Sequence, residues 1–394
     1  MFDLVIDNIR IYSCERDLSC RPETALGVKD GRIAALDPPP QASRRRHLDG
    51  RGRLLLPGFV DCHTHAVYAG DRLDEYLARL SGQRYEAQQQ GGGGIFHTVQ
   101  ATRRASLEEL VDLGVQHAAP LIAEGVTTLE VKSGYGLERG TEMRLLEAAR
   151  ALGPILRTRI VPTFLGAHVS PPGEDRSAYL SRVTDDMLPA CIEAGLTRAV
   201  DIYVDTIAFG PEHLDRLFEK ATACSCLLHA HTDQLTRLGA TARAAEWGAV
   251  SCDHLDESGP DEVAALAKSG TVAVLLPTAS LFLGRTRKPP VEALRKAAVP
   301  IAIASDLNPG TAPDPSLLRA AQEAVRHFLL TPAEALLGIT KNAARALDPT
   351  PDFGTLTVGQ SADFNLWDLP RPESLLYAPS GSRPSMSFYR GEPR

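Results

Sequence analysis

Two histidines separated by one residue, His63 and His65, end an apolar run that begins at Leu54. Side chains two apart on a strand share a face, so both imidazoles can reach one point. Imidazole is a ligand for zinc, iron, copper or nickel. An isolated His-x-His is more often a solvated loop, so the chemistry depends on whether the chain supplies further ligands. Two candidates stand out: His231, in His229-Ala230-His231, and Asp306, in Ser305-Asp306. Alone, His231 would read as a hydrogen-bonded core histidine, and Asp306 as a helix N-cap ahead of Asn308-Pro309. Together, three imidazoles and a carboxylate with one position left for water make a hydrolytic metal site.

Those residues need a frame that brings distant positions to one place. Eight short apolar runs alternate with longer helical patterns, the signature of βα units and a parallel sheet. The runs lead into His63 and His65, Lys132, His168, Asp205, His231, His254, Leu276 and Asp306. Met143, Leu145, Leu146, Ala149 and Leu152 mark one intervening helix, and Val263, Leu266 and Ala267 another. The expected fold is α/β, a (β/α)8 TIM barrel, with a doubly wound open sheet as the alternative. The barrel is preferred because reactive residues end several different strands. In a closed barrel the first and eighth strands are neighbours and the fifth faces them across the mouth.

Both chain ends read as short strands: Leu4 to Tyr12, Ala25 to Leu36 with a turn at Asp30-Gly31, His47 to Leu56, then Gly354 to Gly359, Asp363 to Trp367 and Ser385 to Tyr389. Neither end can bury much surface by itself. They are expected to pair into a small β-sandwich domain formed from both chain termini. The expected boundaries are residues 1–56 and 347–394 for the two parts of that domain and 57–346 for the barrel. A long connection from Ala66 to about Ser106 holds Gly91 to Gly94; it lacks the Gly-Lys-Ser/Thr of a phosphate loop and reads as a flexible loop or lid.

Composition narrows the function classes. A chain of 394 residues, 43% hydrophobic, has a sizeable core. A net charge of -7 offers no large basic field for nucleic acid or an anionic membrane. The one basic cluster, Arg44 to Arg46, reads as a solvated turn. Seven cysteines without a Cys-x-x-Cys fit a reducing compartment, with Cys224 and Cys226 read as buried thiols. No run is long enough to span a bilayer, and the start lacks a basic-then-apolar leader, so a cytoplasmic protein is expected.

The motifs together resemble the amidohydrolase superfamily. They are Pro57-Gly58-Phe59-Val60-Asp61-Cys62-His63-Thr64-His65, Ala69-Gly70-Asp71-Arg72, Gly92-Gly93-Gly94-Ile95, Glu130-Val131-Lys132-Ser133-Gly134-Tyr135-Gly136, Phe164-Leu165-Gly166-Ala167-His168, His231-Thr232-Asp233-Gln234, Asp253-His254-Leu255 and Ala304-Ser305-Asp306-Leu307-Asn308-Pro309-Gly310. The resemblance covers nearly the whole chain. It implies one Zn2+ or Fe3+ ion on His63, His65, His231 and Asp306, and a catalytic histidine at His254. It implies substrate contacts from Arg72, Tyr135, His168, Gln234, Asn308, Gly310 and Thr311. It also implies a homodimer, and a small-molecule substrate, 4-imidazolone-5-propanoate, hydrolysed at its cyclic amide to N-formimidoyl-L-glutamate in histidine degradation.

The residue chemistry suits that reading. A cyclic amide resists water until a metal lowers the water's pKa. His254 can stabilise oxyanion charge, and Asp306 can move a proton to the ring nitrogen. Arg72 is a planar fork for a propionate. Gln234 can only donate and accept hydrogen bonds, so its catalytic part is to orient substrate, not to act as base. Lys132 is expected to be structural or substrate-facing, beside a single ion. The alternatives are another cyclic amidohydrolase or a heterocyclic-base deaminase of the same superfamily, and a non-catalytic binding protein on the same barrel.

Overall fold

The computed structural model describes residues 1–82, 93–378 and 381–394. Eight parallel strands follow one another in chain order: β5 (Phe59–Asp61), β6 (Val126–Lys132), β7 (Arg159–Ala167), β8 (Ala199–Val204), β9 (Leu227–Thr232), β10 (Ser251–His254), β11 (Val272–Leu275) and β12 (Ile301–Ile303). A parallel bridge between Thr64 and Leu307 joins the first strand's end to the last. Its hydrogen bonds run from His65 N to Leu307 O at 2.8 Å and from Asp306 N to His63 O at 3.1 Å. This is the (β/α)8 barrel, and the seam that closes it carries three of the candidate ligands.

Helices cover the outside. The helix Arg139–Leu156 buries Leu145, Leu146, Ala149 and Leu152, the spacing expected of one apolar stripe. The helix Leu107–Ala123 starts at a capping box in which Ser106 accepts from Glu109 N while the Glu109 carboxylate accepts from Ser106 N. The connection after β5 contains the helices Leu73–Leu80 and Ile95–Arg104. Gly91 and Gly92, on which the lid expectation partly rests, lie outside the described residues.

The chain ends build one seven-stranded sheet. It contains β1 (Phe2–Ile11), β2 (Leu26–Lys29), β3 (Arg32–Leu36), β4 (Arg44–Pro57), β13 (Phe364–Trp367), β14 (Met386–Tyr389) and β15 (Glu392–Pro393), in the order β15-β14-β13-β4-β1-β2-β3. The two termini meet where β13 pairs antiparallel with β4, Leu366 opposite Leu55. Ile6, Ile11, Leu26, Leu55, Phe364 and Phe388 form its core. Three details depart from the sequence reading. Arg44 to Arg46 are not a turn but the exposed start of β4, with Arg46 paired to Glu392 at 2.7 Å. The stretch Gly354 to Gly359 forms no strand; Leu356 packs into the sheet's core from an irregular segment. Cys224 and Cys226 are half-buried, because they lie where a helix ends and β9 begins.

The small sheet is joined directly to the barrel. β4 runs into β5 across Gly58, where a Cβ would lie 2.1 Å from Thr127 Oγ1, so glycine leaves room for the Thr127 side chain. A cleft of about 730 Å³ is lined by Arg159 to Pro162, Arg198, Ala199 and Leu227, at the starts of β7, β8 and β9. It contains none of the candidate residues. The chemistry collects in a smaller polar cavity at the strands' other ends.

Candidate active site

His63 and His65 lie just past β5 on either side of the bridging Thr64; His231 is within β9, and Asp306 follows β12. The ligand atoms of the three histidines all lie within 4.8 Å of one another. His231 Nε2 is 3.5 Å from His65 Nε2. Asp306 Oδ1 is 3.4 Å from His63 Nε2 and 3.7 Å from His65 Nε2. All four side chains are buried, and His63 Nε2 has no hydrogen-bond partner. A buried, unsatisfied nitrogen facing two imidazoles and a carboxylate is costly unless a cation fills the gap. The donor set fits a zinc or iron ion.

Burial, reinforced by neighbouring Lys132 and the other histidines, holds the His63 imidazole neutral, and burial does the same for His65 and His254. Neutral imidazole is the ligating form. Burial lifts the Asp306 carboxyl to about 8, against the hydrogen bond from Asn308. A cation at the convergence point would pull it back down. Asp306 and His254 have φ of 56° and 80°, the left-handed region that costs non-glycine residues roughly 1–3 kcal/mol each. The closing seam at Asp306 and the end of β10 at His254 hold them there.

Below the cluster, two carboxylates set the imidazoles. Asp253 Oδ2 accepts from His63 Nδ1 at 2.6 Å, and Asp201 Oδ1 from His231 Nδ1 at 3.0 Å. Each bond leaves the Nε2 lone pair free toward the centre. Lys132 Nζ is 2.7 Å from Asp201, 3.7 Å from Asp253 and 2.9 Å from Glu130. Burial works against the ammonium, and these three carboxylates outweigh it, so Lys132 stays charged. Lys132 is thus beneath the site in a closed ion cluster, and not facing the cavity.

Above the cluster, Arg72, Tyr135, His168, Gln234, His254, Asn308, Gly310 and Thr311 line one cavity with His65, His231 and Asp306. Tyr135 is presented by a tight turn after β6. Glu142 clamps that turn, accepting from the N–H groups of Gly134 at 2.9 Å, Gly136 at 2.8 Å and Leu137 at 2.7 Å. Gly134 has φ of 104°, and a Cβ there would lie 2.9 Å from His168 Nδ1. His168 stacks on His65 with ring centroids 5.3 Å apart, and burial lowers its pKa to about 3.

Two expected contacts have a different local setting. Arg72 is ion-paired with Glu75, whose other oxygen accepts from Gly94 N at 2.8 Å. Its Nη1 side faces Gly310, where a Cβ would be 3.1 Å away. Asn308 spends its side chain within its own turn: Oδ1 accepts from Gly310 N and Thr311 N, each at 2.8 Å, and Nδ2 donates to Asp306 O at 2.6 Å.

The sequence reading assigned no part to Asp201, Asp253, Glu75, Glu142 or the cavity-lining Tyr203. For Asp201 and Asp253 there was a signal. An acid within an apolar strand, as in Ala199-Val200-Asp201-Ile202-Tyr203-Val204, needs a buried partner. Glu142 was marked in the same way, an acid on the apolar stripe of its helix three residues before Leu145; nothing local marks Glu75.

Comparison with known proteins agrees with the geometry. The sequence model of the amidohydrolase family matches residues 54–390. The chain is 45% identical over 382 residues to the imidazolonepropionase of Brucella abortus, covering 95% of this chain and 94% of that protein. It is 47% identical over 360 residues to the imidazolonepropionase of Ralstonia nicotianae, covering 90% and 88%. Among solved structures it superposes on an adenosine deaminase from Xanthomonas campestris with bound zinc, with a TM-score of 0.74 at 19% identity, covering 100% of this chain and 92% of the other. It also superposes on the 5-methylcytosine deaminase of Klebsiella pneumoniae, with a TM-score of 0.74 at 18% identity, covering 99% and 96%. At these identities the two structures speak for the fold alone.

Proposed function

The chain belongs to the amidohydrolase family, and we propose that it hydrolyses the cyclic amide of 4-imidazolone-5-propanoate to N-formimidoyl-L-glutamate, a step of histidine degradation. The observation that carries this reading is one cavity with two unlike halves: His65, His231 and Asp306, which cluster with His63, and the guanidinium of Arg72. The first half suits water activation, the second a substrate with a propionate tail.

His63, His65, His231 and Asp306 would hold one Zn2+ or Fe3+ ion, which when bound lowers the pKa of water toward neutrality and supplies the nucleophile. Asp306 takes the proton released on attack and returns it to the ring nitrogen as the carbonyl carbon–nitrogen bond breaks. His254 donates a hydrogen bond to the carbonyl oxygen and stabilises its developing charge. Arg72 binds the propionate, its orientation held by Glu75. Tyr135 and His168 shape the ring pocket on rigid turns. Gln234 orients the substrate by hydrogen bonds. Asn308 positions Gly310 and Thr311, whose backbone and hydroxyl face the ligand.

Two features bear on oligomeric state and location. The helix Leu73–Leu80 exposes Leu73, Leu77 and Leu80, spaced i, i+4, i+7, a stripe suited to burial in a homodimer. Seven free thiols suit the cytoplasm; among the described residues no helix is long and apolar enough to cross a membrane. The direct test is loss of imidazolone absorbance on adding the purified, metal-loaded protein. Metal-replete protein that leaves imidazolone propionate intact while deaminating guanine or cytosine would reject the assignment.

A further inference from the structure

We infer that Lys132 is a positioning residue for two ligands at once: its single ammonium holds both carboxylates that aim His63 and His231. The inference rests on the metal site proposed above and adds a coupling between two of its arms. Lys132, Asp201 and Asp253 are wholly buried and come from three different strands, β6, β8 and β10. Asp201 uses Oδ2 for Lys132 and Oδ1 for His231, at 2.7 and 3.0 Å. Asp253 lies 3.7 Å from Lys132 through the same Oδ2 that accepts from His63 at 2.6 Å, and its Oδ1 accepts from Ser251 Oγ at 2.7 Å. Glu130 is the third partner of the ammonium and is itself bonded by Thr163 Oγ1 at 2.6 Å.

Two buried carboxylates this close repel, and each needs a counter-charge to remain an acceptor for an imidazole N–H. Lys132 supplies it to both, from a position that touches neither ligand nor cavity. The third imidazole lacks this support: His65 Nδ1 is buried without a hydrogen-bond partner. The site thus has two imidazoles locked to one shared cation, and a third held by the closing seam of the barrel.

Zinc-loaded full-length protein and Lys132→Met, which keeps the length and loses the charge, are compared for zinc affinity and for zinc release to an excess of chromophoric chelator. The expected result is affinity weakened by roughly 10–100-fold and faster release, with an unchanged KM once the variant is saturated with zinc, since Lys132 does not face the cavity. A folded Lys132→Met with wild-type zinc affinity overturns the inference, even if its apo form melts lower. Asp201→Asn, Asp253→Asn and the double variant give an independent reading that needs no change at Lys132. One shared ammonium makes their affinity losses non-additive, because neutralising one acceptor hands the whole charge to the other. Additive losses overturn the coupling. Wild-type protein that binds no zinc removes the metal site itself, and the inference with it.

Discussion

The two sides of the histidine cluster are built by different means. Beneath it the wall is made of strands: β6, β8 and β10 carry Lys132, Asp201 and Asp253, all wholly buried, with Lys132 bridging from its own strand to the other two. Above it the wall is made of connections: Arg72 and Glu75 on the first long loop and its helix, Tyr135 on the turn after β6, Asn308 to Thr311 after β12. These are held by local hydrogen bonds, as in the Asn308 turn or the Glu142 clamp. The difference separates two tasks. Ligand directions are set by the barrel's own hydrogen-bonded frame, which leaves little room for change. The proposed substrate contacts sit on loops whose sequence can vary without disturbing the frame.

That contrast can be broken at its strongest point by Asp306→Asn, which changes a residue that touches both sides. With metal content measured and restored, kcat should fall at least ~10²–10⁴-fold, the scale of a lost general base. Near-normal kcat in the metal-replete variant would remove Asp306 from proton transfer. Arg72→Lys tests the upper wall alone. It keeps the charge and loses the fork, and KM should rise roughly 10–100-fold, as for a lost charge-assisted hydrogen bond, with kcat and zinc affinity little changed. An unchanged KM would take the propionate away from Arg72. Gln234→Ala should cost roughly 1–3 kcal/mol in kcat/KM, read by steady-state kinetics. A dead Gln234→Ala beside an active Asp306→Asn would overturn the assignment of both roles.

The smallest effect is on stability. Asp256, just past β10, is buried with Oδ1 unpartnered, and burial lifts its pKa to about 7, against a hydrogen bond from Ser280. The folded value exceeds the unfolded one, so its contribution is fully present below about pH 4 and is lost as pH rises to about 7. Asp256→Asn should therefore raise the melting temperature more at pH 8 than at pH 4.5. An equal shift at both pH values would show that Asp256 carries no such ionised burden.

Several levels of this protein were legible before any coordinates. The alternation of apolar runs with helical stripes is a local property, and it implied eight βα units. The positions of His63, His65, His231 and Asp306 at run ends followed from counting along the chain, and the motifs around them limited the chemistry. Strand limits at the termini were less legible, because the exposed start of β4 and the irregular segment at Leu356 take their conformation from neighbours far along the chain. What holds the candidate site was not legible either. Lys132, Asp201 and Asp253 are 69 residues or more apart in sequence where they pair, Asp201 with Lys132 and His63 with Asp253 across 190 residues. Glu75 turns Arg72 and Glu142 shapes the Tyr135 turn from helix positions that do not say which loop the carboxylate will meet. Apolar spacing records which face of an element is buried; it does not record which buried charge meets which. That choice is made when the barrel closes, because only then does a buried carboxylate find the one donor that offsets its lost hydration.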